Sequence, residues 1–179
     1  MISQQLLISG VGGQGILFIS RLLAETSIAK GLPVITSETH GMAQRGGIVI
    51  SHLKVGDFSS PLVRPGQADG LIALKSGNVA LHRSFLRSCG WIAANVSEPF
   101  PVSGELEMTT IDADAIALKL GNPQAVNLVV LGRALSTGSL FCTTEEVTMT
   151  LIHKLQEKPA LLERALTALN AGTTDCPRS

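Results

Sequence analysis

The chain has 179 residues, enough for one domain with a substantial core, and 45% of them are apolar against 16% charged. Lysine plus arginine balances aspartate plus glutamate at 14 each, and aromatic residues make up only 3%, which argues against a basic nucleic-acid face or a base-stacking platform. No apolar run approaches the roughly 20 residues of a membrane helix, so the high apolar content implies a core-rich α/β protein or a face covered by another chain.

The first element is "QQLLIS", Gln4 to Ser9, a short apolar run that reads as a buried strand. "GVGGQG", Gly10 to Gly15, follows it. Ile16, Ile19, Leu22, Leu23 and Ile28 then recur at helical spacing, and Gly31 marks the stop. "LPVITSE" is a second strand, so the chain opens as the β-loop-α-β unit of parallel sheets. A second glycine-rich stretch, "HGMAQRGG", spans His40 to Gly47 and leads directly into the strand "IVISHLKV". No helix intervenes, so this strand is expected to run antiparallel to a neighbour.

"GDFSSPLVRPGQ" is a loop by its Gly and Pro content. "ADGLIALK" is expected as a strand, "SGNVALHRSFLRSCG" as a helix and "WIAANV" as a strand. "SEPFPVSGELE" reads as irregular and "MTTID" as a short edge strand. Asp112 is placed to cap a helix that Gly121 ends. An apolar helix runs from Gln124 to about Ser136, and Thr143 with Glu146 forms a capping box before the next helix. Pro159 interrupts the pattern, "ALLERALTALNAG" makes a last helix, and residues 173–179 read as a flexible tail. The expectation is one domain over 1–172, an α/β fold with a mostly parallel sheet, flanking helices, one antiparallel strand and a helical C-terminal part.

Gly10, Gly12 and Gly15 satisfy GxGxxG between a strand and a helix, with Val11, Gly13 and Gln14 between them. Such a loop turns tightly, lets a ligand approach the backbone and presents helix N–H groups to an anion. Glu38 follows at about the twenty-residue interval at which a dinucleotide-binding acid holds the ribose. That allows an NAD-dependent oxidoreductase. The second glycine cluster and the antiparallel strand count against it and favour another anion site or a partner surface. Arg45 offers a planar cationic fork for a phosphate or carboxylate, His40 titrates near neutrality, and Gln44, Gly46 and Gly47 complete the loop. If the second and third strands are neighbours, the two loops share one sheet edge. His52 reads as a satisfied sheet residue, and His82 and His153 as exposed helix positions.

Cys89, Cys142 and Cys176 are far apart, with no CxxC pair, so the chain lacks the ligand spacing of its own iron–sulfur cluster or cysteine zinc site. "MISQQLLIS" has neither a basic start nor a cleavage site, and a cytoplasmic location is expected. HExxH, GxxxxGK[ST] and GxSxG are absent, and no complete catalytic set assembles from the remaining residues.

"GVGGQGI" with "SETHGMAQRGGIVISHLKVG" resembles the gamma-type domain of the 2-oxoacid:ferredoxin oxidoreductases, and "HGMAQRGG" is most similar to the beta subunits of the indolepyruvate class. "IDADAIALKLGNP" and "NLVVLGRAL" fit as well, so the resemblance covers most of residues 5 to 136. It implies oxidative decarboxylation of a 2-oxoacid, an arylpyruvate here, with electrons passing to ferredoxin and the acyl group to coenzyme A. Thiamine diphosphate, Mg2+ and the iron–sulfur clusters would sit on a larger alpha subunit, and this chain alone would bind no cofactor and be inactive. The site would comprise Gly10 to Gly15 and Gln44 to Gly47, with His40 and Arg45 as catalytic candidates and no metal ligand. A non-catalytic docking subunit is the remaining alternative. The apolar surface would be covered by the partner or, in the isolated chain, by a homo-oligomer.

Overall fold

The computed structural model describes residues 2–40, 47–97 and 106–174. Strands β1 (Gln4–Val11), β2 (Val34–His40), β3 (Ile48–Val55), β4 (Ala68–Ala73), β5 (Leu86–Asn95) and β6 (Glu107–Ile111) form one sheet in the order β2-β3-β1-β4-β5-β6. β1, β4, β5 and β6 are mutually parallel, and β3 pairs antiparallel with both β1 and β2. The direct passage from glycine cluster to strand is therefore realised as an inserted antiparallel strand. It separates β2 from β1.

The helices are α1 (Ile16–Ala29), α2 (Gly77–His82), α3 (Ala113–Lys119), α4 (Val126–Ser136), α5 (Thr144–Leu155) and α6 (Pro159–Thr174). One sheet face carries the main core, where Leu6, Ile8, Leu53 and Ile72 pack against Ile19 and Leu23 of α1 and Val130 and Leu131 of α4. α4 is buried from Val126 to Leu135 on every side, as expected for a helix enclosed between a sheet and further helices. Gly132 of α4 and Gly172 of α6 let those two helices touch backbone to backbone: a Cβ on Gly132 would collide with Leu169 O, and one on Gly172 with Val129 O. The opposite face holds a smaller core of Leu7, Ile50, Leu71 and Ile92, roofed by Val79 of α2 and by Val63 from the loop between β3 and β4.

The caps match the sequence pattern. Asp112 Oδ1 accepts from Ala115 N at 3.0 Å, and the Thr143–Glu146 capping box is complete. Gly31 ends α1 at φ +71°. Several boundaries differ from expectation. β1 continues through Gly10 to Val11 because β3 pairs with it to its end. The helix expected over residues 76–90 is only α2 and one 3-10 turn, Arg83–Phe85, after which β5 begins at Leu86. Leu86 pairs with Ala68, and Arg87 Nη1 reaches Asp69 Oδ1 at 3.0 Å, so sheet contacts override the local helical pattern. Thr173 and Thr174, expected in the tail, complete α6.

Candidate functional site

The two glycine loops meet at one edge of the sheet. Val11 pairs with Ile48, His40 pairs with Val49, and Gly12 N donates to Gly47 O at 3.0 Å across the gap between the loops. β1 and β2 both end here at their carboxyl ends, with the start of β3 between them. Gln44, Arg45 and Gly46 lie outside the described residues, as does the side chain of His40. The placement of Gly47 and His40 backbone fixes both ends of the second loop at this edge.

Each residue of the first loop has a distinct part. Gln14 folds back on the strand: its Oε1 accepts from Val11 N at 2.8 Å, its Nε2 donates to Leu74 O at 3.4 Å, and Gln14 N donates to Val11 O at 3.1 Å. Gly10 leaves room for this clasp, since a Cβ there would lie 2.7 Å from Gln14 Oε1. Gly15 is the N-cap of α1 at φ +78°, and a Cβ on it would collide with Asn127 Nδ2 of α4. Asn127 Nδ2 reaches Gly15 O at 3.4 Å. Gly13, at φ +94°, has open space where its Cβ would be, and Gly12 and Gly13 are exposed. Three of the glycines thus have separate duties: Gly10 and Gly15 serve packing, and Gly13 serves the turn and leaves space in front of it.

Among the described residues no side chain caps α1, and its first turn holds no acidic residue. The N–H groups of Ile16 and Leu17 have no intrahelical acceptor and carry the positive end of the helix dipole. Gly12, Gly13, Gly15, Ile16, Leu17 and Val49 line a groove of about 440 Å³ in front of them. Ile48 adds an apolar side chain, 39% exposed, beside it. The arrangement can take an anionic group against backbone N–H donors with apolar matter alongside.

The strand order removes the geometry that an NAD reading of Glu38 needs. In a dinucleotide-binding fold the second strand lies next to the first, so that its acid faces the ribose. Here Glu38 pairs with Ser51, which pairs with Ile8, so Glu38 is two strand spacings (about 10 Å) from β1 and roughly three residues short of its end.

Other polar residues are accounted for by packing. Ser20 and Ser51 hydroxyls lie 2.7 Å apart, and Asn78 Nδ2 donates to Ser9 Oγ at 2.9 Å. His52 is satisfied as expected, its Nδ1 accepting from Val63 N at 3.2 Å. His82 is not an exposed helix position: it is half-buried, and its Nε2 has no hydrogen-bond partner among the described residues. Burial pushes the pKa of both histidines below the usual value, and for His52 the nearby His82 and Lys54 add to the effect. Burial pushes the Cys142 thiol up to about 12, so it is an inert core residue. Among the described residues no three His, Cys, Asp or Glu converge as a metal site, and no helix is long and apolar enough to cross a membrane.

A larger groove, about 780 Å³, runs between α1 and α5. The ion pairs Lys30–Glu146 and Lys154–Glu25 cross it, with a Thr26–Thr150 hydrogen bond of 3.0 Å below. Its charges neutralise one another, and it sits at the far end of α1 from the glycine loops. Asn127 is the residue that sequence reading missed. It stands 112 positions from Gly15, and nothing local in the sequence marks the contact.

Residues 5–174 match the family described as pyruvate ferredoxin/flavodoxin oxidoreductase. The indolepyruvate oxidoreductase subunit IorB of Archaeoglobus fulgidus is 33% identical over 93% of this chain and 92% of its own length. The gamma subunit of a keto/oxoacid ferredoxin oxidoreductase from Geobacter sulfurreducens superposes with a TM-score of 0.76 over 95% of this chain and 96% of its own, at 23% identity. The 2-oxoglutarate:ferredoxin oxidoreductase of Magnetococcus marinus, solved with 2-oxoglutarate, coenzyme A and succinyl-CoA bound, superposes with a TM-score of 0.82 at 17% identity. That match covers all of this chain and 32% of the other, so the chain spans about a third of that neighbour. The chain belongs to the pyruvate ferredoxin/flavodoxin oxidoreductase family and has the fold of its gamma subunits.

Proposed function

We propose that this chain is the smaller subunit of an indolepyruvate (2-oxoacid) ferredoxin oxidoreductase, and that its glycine edge forms one wall of a site completed by a larger subunit. The observation that carries this reading is the Gly12 N–Gly47 O bond of 3.0 Å, which joins both glycine loops beside a helix start without a side-chain cap. The 33% identity to a subunit of an indolepyruvate enzyme, over nearly the full length of both chains, supports the substrate class.

In this reading the larger subunit would hold thiamine diphosphate, Mg2+ and iron–sulfur clusters, groups that would supply the chemistry of oxidative 2-oxoacid decarboxylation, with coenzyme A as acyl acceptor and ferredoxin as electron acceptor. This chain's contribution is positioning. The N–H groups of Gly13, Ile16 and Leu17 would receive an anionic group of coenzyme A or substrate, and Arg45 would pair with a phosphate or carboxylate. His40 and Gln44 would orient what lies between the loops. Gln14 would keep the first loop in shape through its bonds to Val11 and Leu74. The exposed Ile48 beside Val49 would be covered by the larger subunit.

The test is reconstitution. The purified chain alone is expected to reduce no ferredoxin with indolepyruvate and coenzyme A, and the chain co-expressed with a larger cluster-bearing subunit to do so. Turnover by the isolated chain, or an assembled complex indifferent to indolepyruvate, would contradict the reading.

A further inference from the structure

At the opposite end of β3, some six residues and about 20 Å from Ile48, lies a surface that the glycine edge does not explain. Lys54 is only 6% exposed, yet its ammonium has no carboxylate or carbonyl partner among the described residues. The Phe58 ring lies beside it, with Nζ 5.1 Å from the centroid. Lysine is seldom buried so far unless paired. The acids nearby do not serve it. Asp69 is engaged by Arg87 at 3.0 Å and by Gln5 N at 2.6 Å, and Asp57 makes no ion pair among the described residues.

A second cation is held close by. Lys54 and His52 point to the same face of β3, and His52 Nδ1 takes the Val63 N–H, which brings the adjacent Arg64 over this face. Burial and Arg64 both lower the pKa of Lys54, and no acid offsets them. The loop carrying Arg64 is rigidly seated. Val63 plugs the smaller core, Gly66 N donates to Ser84 O at 3.0 Å, Gln67 N donates to Arg64 O at 3.1 Å, and Pro61 and Pro65 stiffen it further. Leu62, beside the plug, is 49% exposed.

We propose that Lys54, Arg64, Leu62 and Phe58 form a docking surface for an acidic, apolar segment of a partner polypeptide, distinct from the glycine edge. Two cations without an acid partner among the described residues call for a carboxylate, and the exposed Leu62 with the Phe58 ring calls for an apolar side chain next to it. A polypeptide supplies both; a small anion supplies only the first. The inference is independent of the substrate reading above.

The test uses the full chain and a defined probe, the peptide acetyl-Glu-Leu-Glu-Glu-Phe-Glu-amide, followed by NMR. The expected result is saturable shifts at Lys54, Phe58 and Leu62 to Arg64. Affinity should fall at least tenfold with Arg64→Gln, with Lys54→Met and with the Glu residues of the probe replaced by Gln. Lys54→Met should melt no lower than the parent, because no carboxylate or carbonyl among the described residues holds the buried charge and a methionine can keep the contact with the Phe58 ring. Absence of shifts at millimolar probe, shifts elsewhere, or equal binding of the Gln probe would overturn the proposal. So would inorganic phosphate giving the same shifts with the same dependence on Arg64. Arg64 is exposed, so its variant keeps the test decisive if Lys54→Met fails to fold.

Discussion

The glycine edge and the α4–α6 seam use the same residue for opposite ends. At the seam a Cβ on Gly132 or Gly172 would strike the backbone of the facing helix, so these glycines exist to close a gap. At the edge a Cβ on Gly13 would meet nothing, so that glycine leaves a gap open. Gly10 and Gly15 belong with the seam in this respect, although they sit in the loop, because Gln14 and Asn127 fill the space beside them. The difference separates glycines that hold the fold together from glycines that leave open space. A glycine-rich motif is thus a mixture of the two.

The largest effect is expected at the seam. Gly172→Ala should destabilise the chain by about 3 kcal/mol or more, because backbone on both sides cannot yield, and should lower Tm by roughly 6–12 °C. Calorimetry or thermal circular dichroism checks this, and a near-neutral result would mean the helices can move apart freely. Gly15→Ala should come next, at about 2 kcal/mol, from the left-handed N-cap and the collision with Asn127. Asn127→Ala added to it should recover part of the loss, since the strain of the backbone remains while the collision goes. An additive double mutant would separate the two residues.

Gly13→Ala sharpens the comparison most. It has strain at φ +94° but no collision, so about 1 kcal/mol of stability is at stake. The reconstituted complex should nonetheless lose at least tenfold in kcat/KM, an effect out of proportion to the melting change. Equal mild losses in both would make Gly13 a turn residue only.

The smallest effect is a pH slope on the less covered sheet face. His52 accepts the Val63 N–H and must be neutral to do so, and His82 is half-buried without a partner for Nε2. Both have folded pKa values below the unfolded value of about 6.5. The unfolded chain therefore takes up protons first as pH falls. The stability these neutral histidines contribute is complete above about pH 6.5 and is lost as pH drops through their folded values. Melting at pH 7.5 and 5.0 should show the decline, and His52→Gln should flatten it. Glu145 and Glu146, with pKa values held below the ordinary carboxylate range, by hydrogen bonds to backbone and Thr143 for Glu145 and by Lys30 first for Glu146, titrate beneath this window.

Much of this was legible in the sequence because it is local. The opening β-loop-α-β unit follows from apolar runs around GVGGQG, and the antiparallel β3 follows from the absence of a helical pattern between the second strand and Ile48. The Asp112 and Thr143 caps are short-range patterns as well. What escaped is set by contacts between distant segments. Leu86 to Gly90 look helical by spacing but are drawn into β5 by Ala68 and Asp69. Glu38 has the interval of a ribose-binding acid, yet the insertion of β3 displaces it, and strand order is not written in any interval. Asn127 lies within a stretch that marks the family, but its contact with Gly15 is made only when α4 meets the start of α1.

The most direct measurement of the central claim is amide hydrogen exchange on the chain, alone and assembled with the larger subunit. If the glycine edge is the wall of a shared site, the amides of Gly13, Ile16 and Leu17 should slow strongly on assembly while those along α4 and α6 stay unchanged. Protection confined to other surfaces, with the Gly13, Ile16 and Leu17 amides exchanging as in the free chain, would contradict it.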